Sequence, residues 1–213
     1  MNNNVKDISE TIMKGTTTIA LATNDGVVMG ADTRATADTF IASSEAIKLF
    51  RINDQLGMTI AGSVGDANYL VKLMKTQNEF YAMSEGKPLS PNAAASLLSL
   101  ILQENKFTPY YVGLIVAGLN KGSPEIFDLD PVGGSIKESR FTSIGSGSIA
   151  ALGYLEGIYN AGMNTQEATK HVAKALQIAM KRDAATGDGM RLATITKKGF
   201  KEYSKEEIEK LLK

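Results

Sequence analysis

Apolar and polar positions alternate in two early stretches of the chain, and each stretch predicts a β-hairpin. Residues 16–23 and 27–32 flank the turn Asn24-Asp25-Gly26, a sequence that favours a tight connection between antiparallel strands. Residues 46–52 and 57–63 repeat the arrangement. The amino-terminal half of the chain therefore begins with four predicted strands.

A different periodicity follows the strands and predicts two consecutive helices. From Leu70 to Tyr81 the apolar residues recur at spacings of three and four, which places them on one face of a helix. Gly86-Lys87-Pro88 ends this helix, and Ser90-Pro91 begins a second helix that runs to Leu102.

The second half of the chain repeats the order of strands and then helices. Three strands are predicted at residues 112–119, 125–130 and 139–145, and two helices at 150–159 and 166–182. A last hairpin follows at 191–196 and 200–203, and a short solvated helix at 205–213. Strands that alternate with helix pairs, without a linker between the halves, predict one α+β domain. We expect a four-layer α-β-β-α sandwich, in which two antiparallel sheets are flanked by helix pairs.

The first fifteen residues, MNNNVKDISETIMKG, differ from the rest of the chain. They are polar, rich in asparagine, and lack the apolar core of a secretory signal. We interpret residues 1–15 as a detachable propeptide and residues 16–213 as the functional domain. Because no run of about 18 apolar residues is present, we expect a cytoplasmic protein that does not span a membrane.

The composition narrows the chemistry that the chain can perform. It has 213 residues with no cysteine and a single histidine, which excludes a cysteine nucleophile and a multi-histidine zinc site. Acidic and basic side chains balance at 23 each, so charge gives no reason to expect a nucleic-acid or membrane partner. A hydrolase built from this chain needs a nucleophile that works without cysteine and with at most one histidine.

Thr16 is the candidate nucleophile, at the junction of the leader and the first strand. Threonine is common at strand starts for its β propensity alone, and that explanation stays open for Thr16 taken by itself. If cleavage after Gly15 makes Thr16 the amino-terminal residue, its α-amino group, with a pKa of about 7.7 to 8.0, can act as the base. Glycine at position 15 would let the backbone adopt the geometry in which the Thr16 hydroxyl reaches the Gly15 carbonyl carbon.

Asp32 and Lys48 form a second candidate pair. Lys48 lies in an apolar segment, so its side chain either points outward to a surface carboxylate or points inward and needs a partner. Asp32, at the end of the second predicted strand, would be that partner. A cation placed beside Thr16 would lower the pKa of its hydroxyl.

Six motifs in this order resemble β subunits of the proteasome core particle of the archaeal type, which are threonine peptidases with the N-terminal nucleophile hydrolase fold. The motifs are Gly15-Thr16-Thr17-Thr18, Asp32-Thr33-Arg34, Lys48-Leu49, Ala61-Gly62-Ser63-Val64-Gly65-Asp66, Gly145-Ser146-Gly147-Ser148 and Arg182-Asp183-Ala184-Ala185-Thr186-Gly187. Together they cover the chain from Gly15 to about Arg191.

The resemblance implies a role for each matching residue. Thr16 would be the nucleophile, Lys48 would tune it electrostatically, and Asp32 would hold Lys48. The Gly62 amide would donate to the oxyanion of the tetrahedral intermediate.

Ser146 and Asp183 would orient the amine, and Thr186 stands where the family commonly has serine. The pocket for the residue that precedes the cut would be lined by Ala35, Ala46, Ile60 and Val64, which implies a preference for hydrophobic residues.

The same resemblance implies an assembly. The family forms stacked seven-membered rings in which β rings are enclosed by α-type subunits, and an ATP-driven unfoldase delivers unfolded protein substrates. No cofactor or metal is expected, and the activity is a peptide-bond hydrolysis. Three alternatives are a structural β-type ring subunit without activity, a bacterial two-ring threonine peptidase, and an unrelated binding protein that uses the glycine loops, such as residues 145–148, for phosphate.

Overall fold

The computed structural model describes residues 15–37 and 39–212. Residues 1–14 of the predicted propeptide, Asp38 and Lys213 lie outside the described residues. The strands are β1 (Thr18–Ala22), β2 (Gly26–Asp32), β3 (Ala35–Ala37), β4 (Phe40–Ser43), β5 (Leu49–Asn53), β6 (Leu56–Gly62), β7 (Val112–Asn120), β8 (Ser123–Leu129), β9 (Ser135–Glu138), β10 (Phe141–Ile144), β11 (Met190–Thr196) and β12 (Gly199–Glu202). The helices are α1 (Val64–Glu85), α2 (Pro91–Glu104), α3 (Ser148–Ile158), α4 (Thr165–Arg182) and α5 (Lys205–Leu211).

Ten of these strands form two antiparallel five-stranded sheets. The order in the first sheet is β10-β1-β2-β11-β12, and the order in the second is β5-β6-β7-β8-β9. In the first sheet Thr18 of β1 pairs with Ile144 on one side and with Ala31 on the other. The strand β1, which begins just after Thr16, is therefore held from both sides. Among the strands of the described residues, the short strands β3 and β4 pair only with each other.

Among the described residues, three clusters of buried apolar side chains pack between the four layers. One lies between the sheets and includes Ala20, Met29 and Ile115. A second lies beneath α1 and α2, and a third beneath α3 and α4. Ile19 and Leu21 belong to the third cluster, so successive residues of β1 face opposite layers, as the period of a strand requires. The predicted α+β four-layer α-β-β-α sandwich is confirmed.

The boundaries of the elements show where the sequence pattern misled. Helix α1 begins at Val64 and not at Leu70, because the hydroxyl of Ser63 caps it by accepting a hydrogen bond from the amide of Asp66. It ends at Gly86, with φ of +67°, where the sequence predicted.

The strand predictions missed three strands and made two others too long. The strands β3, β4 and β9 were not predicted, since they are short and mostly exposed and lack an alternating apolar face. The strand predicted at 139–145 is limited to β10, and β5 begins after Lys48 and not at Ala46. The predicted carboxy-terminal helix is confirmed over Lys205–Leu211, where Ser204 and Glu207 form a capping box.

Within residues 15–37 and 39–212, no helix is both long and apolar enough to cross a membrane.

The packing of α4 onto the first sheet predicts a large cost for truncating Leu176. Leu176 is fully buried in the cluster beneath α3 and α4, so Leu176→Ala should lower the free energy of unfolding by about 2–5 kcal/mol. Lys174→Ala on the exposed side of the same helix should change it by less than about 0.5 kcal/mol. Urea unfolding of the two variants measures both values, and equal effects would contradict this description of the core.

Candidate active site

The junction between Gly15 and Thr16 is buried at the start of β1. Thr16 is 4% exposed, and its hydroxyl donates a hydrogen bond to the carbonyl oxygen of Gly15. The amide of Gly15 donates to the hydroxyl of Ser146 over 3.2 Å. The candidate nucleophile therefore already lies against the carbonyl group that it would attack.

Only glycine suits position 15 in this arrangement. Its φ of +99° lies in a region that side chains with a Cβ rarely adopt. A Cβ placed there would also collide with the hydroxyl of Thr36 on β3. Backbone conformation and local space thus both require the glycine that the sequence analysis singled out.

Asp32 and Lys48 form a buried ion pair that connects the two sheets. Asp32 ends β2 in the first sheet, and Lys48 directly precedes β5 in the second. Lys48 Nζ lies 2.8 Å from Asp32 Oδ1, and the two side chains are 9% and 0% exposed. Nζ also donates to the carbonyl oxygen of Gly15 over 3.2 Å. Of the two orientations considered for Lys48, the inward one is correct.

Backbone amides complete the surroundings of the Asp32 carboxylate. Oδ1 accepts from the amide of Thr17 at 2.9 Å, and Oδ2 accepts from the amides of Gly187 at 3.0 Å and Arg34 at 3.2 Å. The pKa of Asp32 is raised, because burial outweighs Lys48 and the amides of Thr17 and Gly187, which lower it. The pKa of Lys48 is lowered, because its burial outweighs the opposing effect of the Asp32 charge. The pair is fixed in position by hydrogen bonds from three separate parts of the chain.

Ser146, Asp183 and Thr186 form a second cluster beside the same junction. The hydroxyls of Ser146 and Thr186 both donate to Asp183 Oδ2 over 2.5 Å. The hydroxyl of Thr186 also lies 2.8 Å from that of Thr17. Thr186 is fully buried, and its hydroxyl belongs to the same hydrogen-bonded cluster. Thr17 was quoted in a motif but given no role, and its position directly after Thr16 was the available signal.

Arg34 holds the loop that carries Asp183 and Thr186 of this second cluster. Its guanidinium donates to both carboxylate oxygens of Asp188, at 2.9 and 3.1 Å, and to the carbonyl of Ala184 at 2.7 Å. The loop also contains Gly187, whose amide reaches Asp32. The sequence analysis quoted Arg34 in a motif without assigning it a function, because its partners follow 150 and 154 residues later.

Gly62 lies at the end of β6, exposed and with φ of +123°. A Cβ at this position would collide with the carbonyl group of Tyr111. Among the residues predicted to line the pocket, Ala46 and Ile60 are tied by backbone hydrogen bonds to Thr33 and Lys48, respectively. These bonds connect the predicted pocket residues to the segments that carry the ion pair.

The four predicted pocket residues differ in their exposure. Ala35 and Ala46 are partly buried, and Val64 is 60% exposed. Ile60 is 3% exposed and belongs to the cluster beneath α1 and α2. Most of its side chain therefore packs in the core, and little of it is left for an open surface.

Comparison with known proteins agrees with this geometry. A family model described as proteasome subunit matches residues 12–195. The chain belongs to the proteasome subunit family. The resemblance inferred from the six motifs is thereby confirmed.

The relatives matched over nearly the whole chain are proteasome β subunits. The proteasome subunit beta of Methanocaldococcus fervens is 46% identical over 203 residues, which cover 94% of this chain and 90% of the relative. The subunit from Methanothrix thermoacetophila is 42% identical, with 94% and 97% covered, and that from Archaeoglobus fulgidus is 40% identical, with 96% of each chain covered. These relatives confirm the prediction that the chain is a β-type proteasome subunit, over 94–96% of its length.

We expect the loss of the buried ion pair between the sheets to lower the free energy of unfolding more than the loss of an exposed pair. Asp32→Ala leaves the Lys48 ammonium buried without its partner and should lower the free energy of unfolding by about 3–5 kcal/mol. Glu156→Ala, which breaks the exposed pair with Arg140, should cost at most about 1 kcal/mol. Both are measured by urea unfolding of the full-length chain, whose length is checked by intact mass. A cost below about 1 kcal/mol for Asp32→Ala would contradict the described burial of the pair.

Proposed function

We propose that this chain is a catalytic β subunit of the proteasome core particle, a threonine endopeptidase that activates itself by cleavage between Gly15 and Thr16. The observation that carries the proposal is the contact between the Thr16 hydroxyl and the Gly15 carbonyl, with Lys48 Nζ 3.2 Å from the same carbonyl oxygen. Residues 1–15 are then a propeptide and residues 16–213 the mature domain.

Self-cleavage begins with attack of Thr16 Oγ1 on the carbonyl carbon of Gly15. The negative charge that develops on the carbonyl oxygen is stabilised by the ammonium group of Lys48. The bond from the Gly15 carbonyl carbon to the Thr16 nitrogen then breaks, the nitrogen takes up the proton that Oγ1 has lost, and an ester to Oγ1 remains. Hydrolysis of that ester releases the leader as a carboxylic acid and leaves Thr16 with a free hydroxyl and a free amine.

The mature enzyme uses the amine that self-cleavage creates. With a pKa near neutrality, this amine takes the proton from Oγ1 as the hydroxyl attacks a substrate carbonyl. Ser146, Asp183 and Thr186 are linked by hydrogen bonds and orient the amine, while Asp32 and Lys48 lower the pKa of the Thr16 hydroxyl. The Gly62 amide donates to the substrate oxyanion. The leader acts as a lock, since the base does not exist while the peptide bond is intact.

The proposed setting of this activity follows the family. The subunit assembles into a seven-membered β ring of identical chains, enclosed by α-type subunits, and receives unfolded polypeptides from an ATP-driven unfoldase in the cytoplasm. Enclosure in a ring would separate a broadly specific peptidase from folded proteins. Ala35, Ala46, Ile60 and Val64 line the pocket for hydrophobic residues, to which Ile60 contributes only the small exposed part of its side chain.

The first prediction concerns the leader. After co-expression with the α-type partner, the wild-type chain should lose residues 1–15 and expose Thr16, whereas the Thr16→Ala variant should keep its leader attached. Intact mass and amino-terminal sequencing measure both results. Thr18→Ala is the matched control, because it changes a nearby buried threonine whose hydroxyl has no hydrogen-bond partner among the described residues and leaves the attacking hydroxyl in place.

Two outcomes would refute the proposal in different ways. A wild-type chain that assembles but keeps its leader would identify a structural subunit. Removal of the leader from Thr16→Ala at the same bond would show that another protease performs the cleavage. Loss of the leader in the wild type alone would support the proposal and lead to peptidase assays.

A second prediction tests the conformation of position 15. Gly15→Ala places a Cβ at a φ of +99° and against Thr36, so the carbonyl must move away from the Thr16 hydroxyl. Self-cleavage should slow by about 100-fold or more, in line with the cost of displacing a reacting group by about 1 Å. The time course of leader loss, followed by mass spectrometry, measures the rate. Met13→Ala in the leader is the control, and equal rates for the two variants would contradict the prediction.

A further inference from the structure

The main chain of Tyr111 binds the segment that carries Gly62 at two points. The Tyr111 carbonyl accepts a hydrogen bond from the amide of Ser63 at 2.7 Å. The Tyr111 amide donates to Oδ2 of Asp66 at 2.9 Å. Tyr111 directly precedes β7, Ser63 caps α1 and Asp66 lies in its first turn, so the two bonds close a ring around the end of β6.

The conformation of Gly62 depends on where this ring places the Tyr111 carbonyl. At the observed φ of +123°, that carbonyl occupies the space that a Cβ on residue 62 would need, so this conformation is open only to glycine. The direction of the Gly62 amide is set by the same backbone angles. A shift of Tyr111 would therefore rotate the group that the proposed function uses as the oxyanion donor.

Asp66 is the side chain that fixes Tyr111 from the helix side. Its own position in the first turn of α1 suits a carboxylate, because the positive end of the helix dipole lies there. Its amide also donates to the cap hydroxyl of Ser63, over 3.4 Å. The Asp66 carboxylate is thus positioned by α1 and binds the residue that precedes β7.

Tyr111 lies at the centre of a tight turn between Tyr110 and Val112. The amide of Val112 bonds to the carbonyl of Tyr110 at 2.9 Å, so the chain reverses at Tyr111. The ring of Tyr110 stacks on Tyr69 of α1 with 5.8 Å between ring centres. The stack holds the side chain of Tyr110, but the peptide groups of Tyr111 are oriented by Asp66 and Ser63.

We propose that Asp66 is a positioning residue for the oxyanion donor, acting through the main chain of Tyr111 on the amide of Gly62. The inference rests on the proposed peptidase function. Asp66 does not touch the reacting atoms. Its removal should affect stabilisation of the transition state more than binding of the substrate.

The test compares three variants of the full chain, assembled with the α-type partner and processed. Asp66→Ala removes the acceptor for the Tyr111 amide, and Asp66→Asn keeps an oxygen of the same shape at the same place. Ser63→Ala removes the cap hydroxyl but keeps the Ser63 amide on the Tyr111 carbonyl. Ser63→Ala is therefore the control, because it weakens the start of α1 and keeps both main-chain hydrogen bonds of Tyr111.

The expected result is a loss in kcat that Asn restores. Because removing one oxyanion donor costs about 10²–10³ in kcat, misdirecting it should cost about tenfold in Asp66→Ala, with KM changed by less than about twofold. Asp66→Asn should stay within about threefold of wild type, and Ser63→Ala within about twofold. Affinity for a peptide aldehyde, which forms a tetrahedral adduct, should fall in parallel with kcat. A change confined to KM, or equal losses in Asp66→Ala and Ser63→Ala, would overturn the inference.

A second measurement does not depend on activity. Amide hydrogen exchange of the unassembled full chain reports on the Ser63 amide, which is bonded to Tyr111. Asp66→Ala should speed its exchange by about tenfold or more, and Asp66→Asn should not. Unchanged protection in Asp66→Ala would overturn the inference whether or not the particle is active. A wild-type chain that keeps its leader would refute the proposed function instead, and the exchange rates would then decide the role of Asp66.

Discussion

The buried pair of Asp32 and Lys48 is the interaction around which the rest of the site is arranged. Removing two charges from water costs several kcal/mol per ion, and the mutual attraction offsets this only with good geometry and further hydrogen bonds. Here the carboxylate receives three backbone amides in addition to the ammonium group. The amides come from the start of β1, from the end of β2 and from the loop after α4. The charge pair thus requires that all these segments meet at one point.

The position of the pair explains how the two sheets contribute to one site. Asp32 belongs to the first sheet and Lys48 to the segment that enters the second, so the pair lies where strand ends of both sheets meet. The nucleophile candidate lies just before β1, which is held between β2 and β10. A strand paired on both sides therefore supports the residue whose placement must be accurate to a fraction of an ångström.

The same arrangement gives the leader a physical role. While Gly15 is attached, its carbonyl takes a hydrogen bond from Lys48 and its amide contacts Ser146. These are the groups that would face the substrate and the free amine after cleavage. The bond between Gly15 and Thr16 thus lies among the groups proposed for catalysis.

Much of this molecule could be predicted from the sequence. The periodicities predicted both hairpins around β1, β2, β5 and β6, and they predicted the helix pairs, because those elements bury apolar residues at regular spacing. The absence of cysteine and the single histidine narrowed the choice of nucleophile toward a hydroxyl. The motif order predicted the proteasome subunit family. Local chemistry carries this information, and it needs no knowledge of distant contacts.

Other features were decided only by the tertiary structure. Lys48 could point outward or inward, and the choice depended on Asp32, 16 residues away and in the other sheet. Arg34 and Asp66 gave no distinct signal, because their partners at Asp188 and Tyr111 lie 154 and 45 residues further along the chain. Hydrogen bonds between such distant residues leave no periodic trace in the sequence. The chain by itself determined which chemical groups are present and which layers form, and the packing of the two sheets determined which of those groups meet.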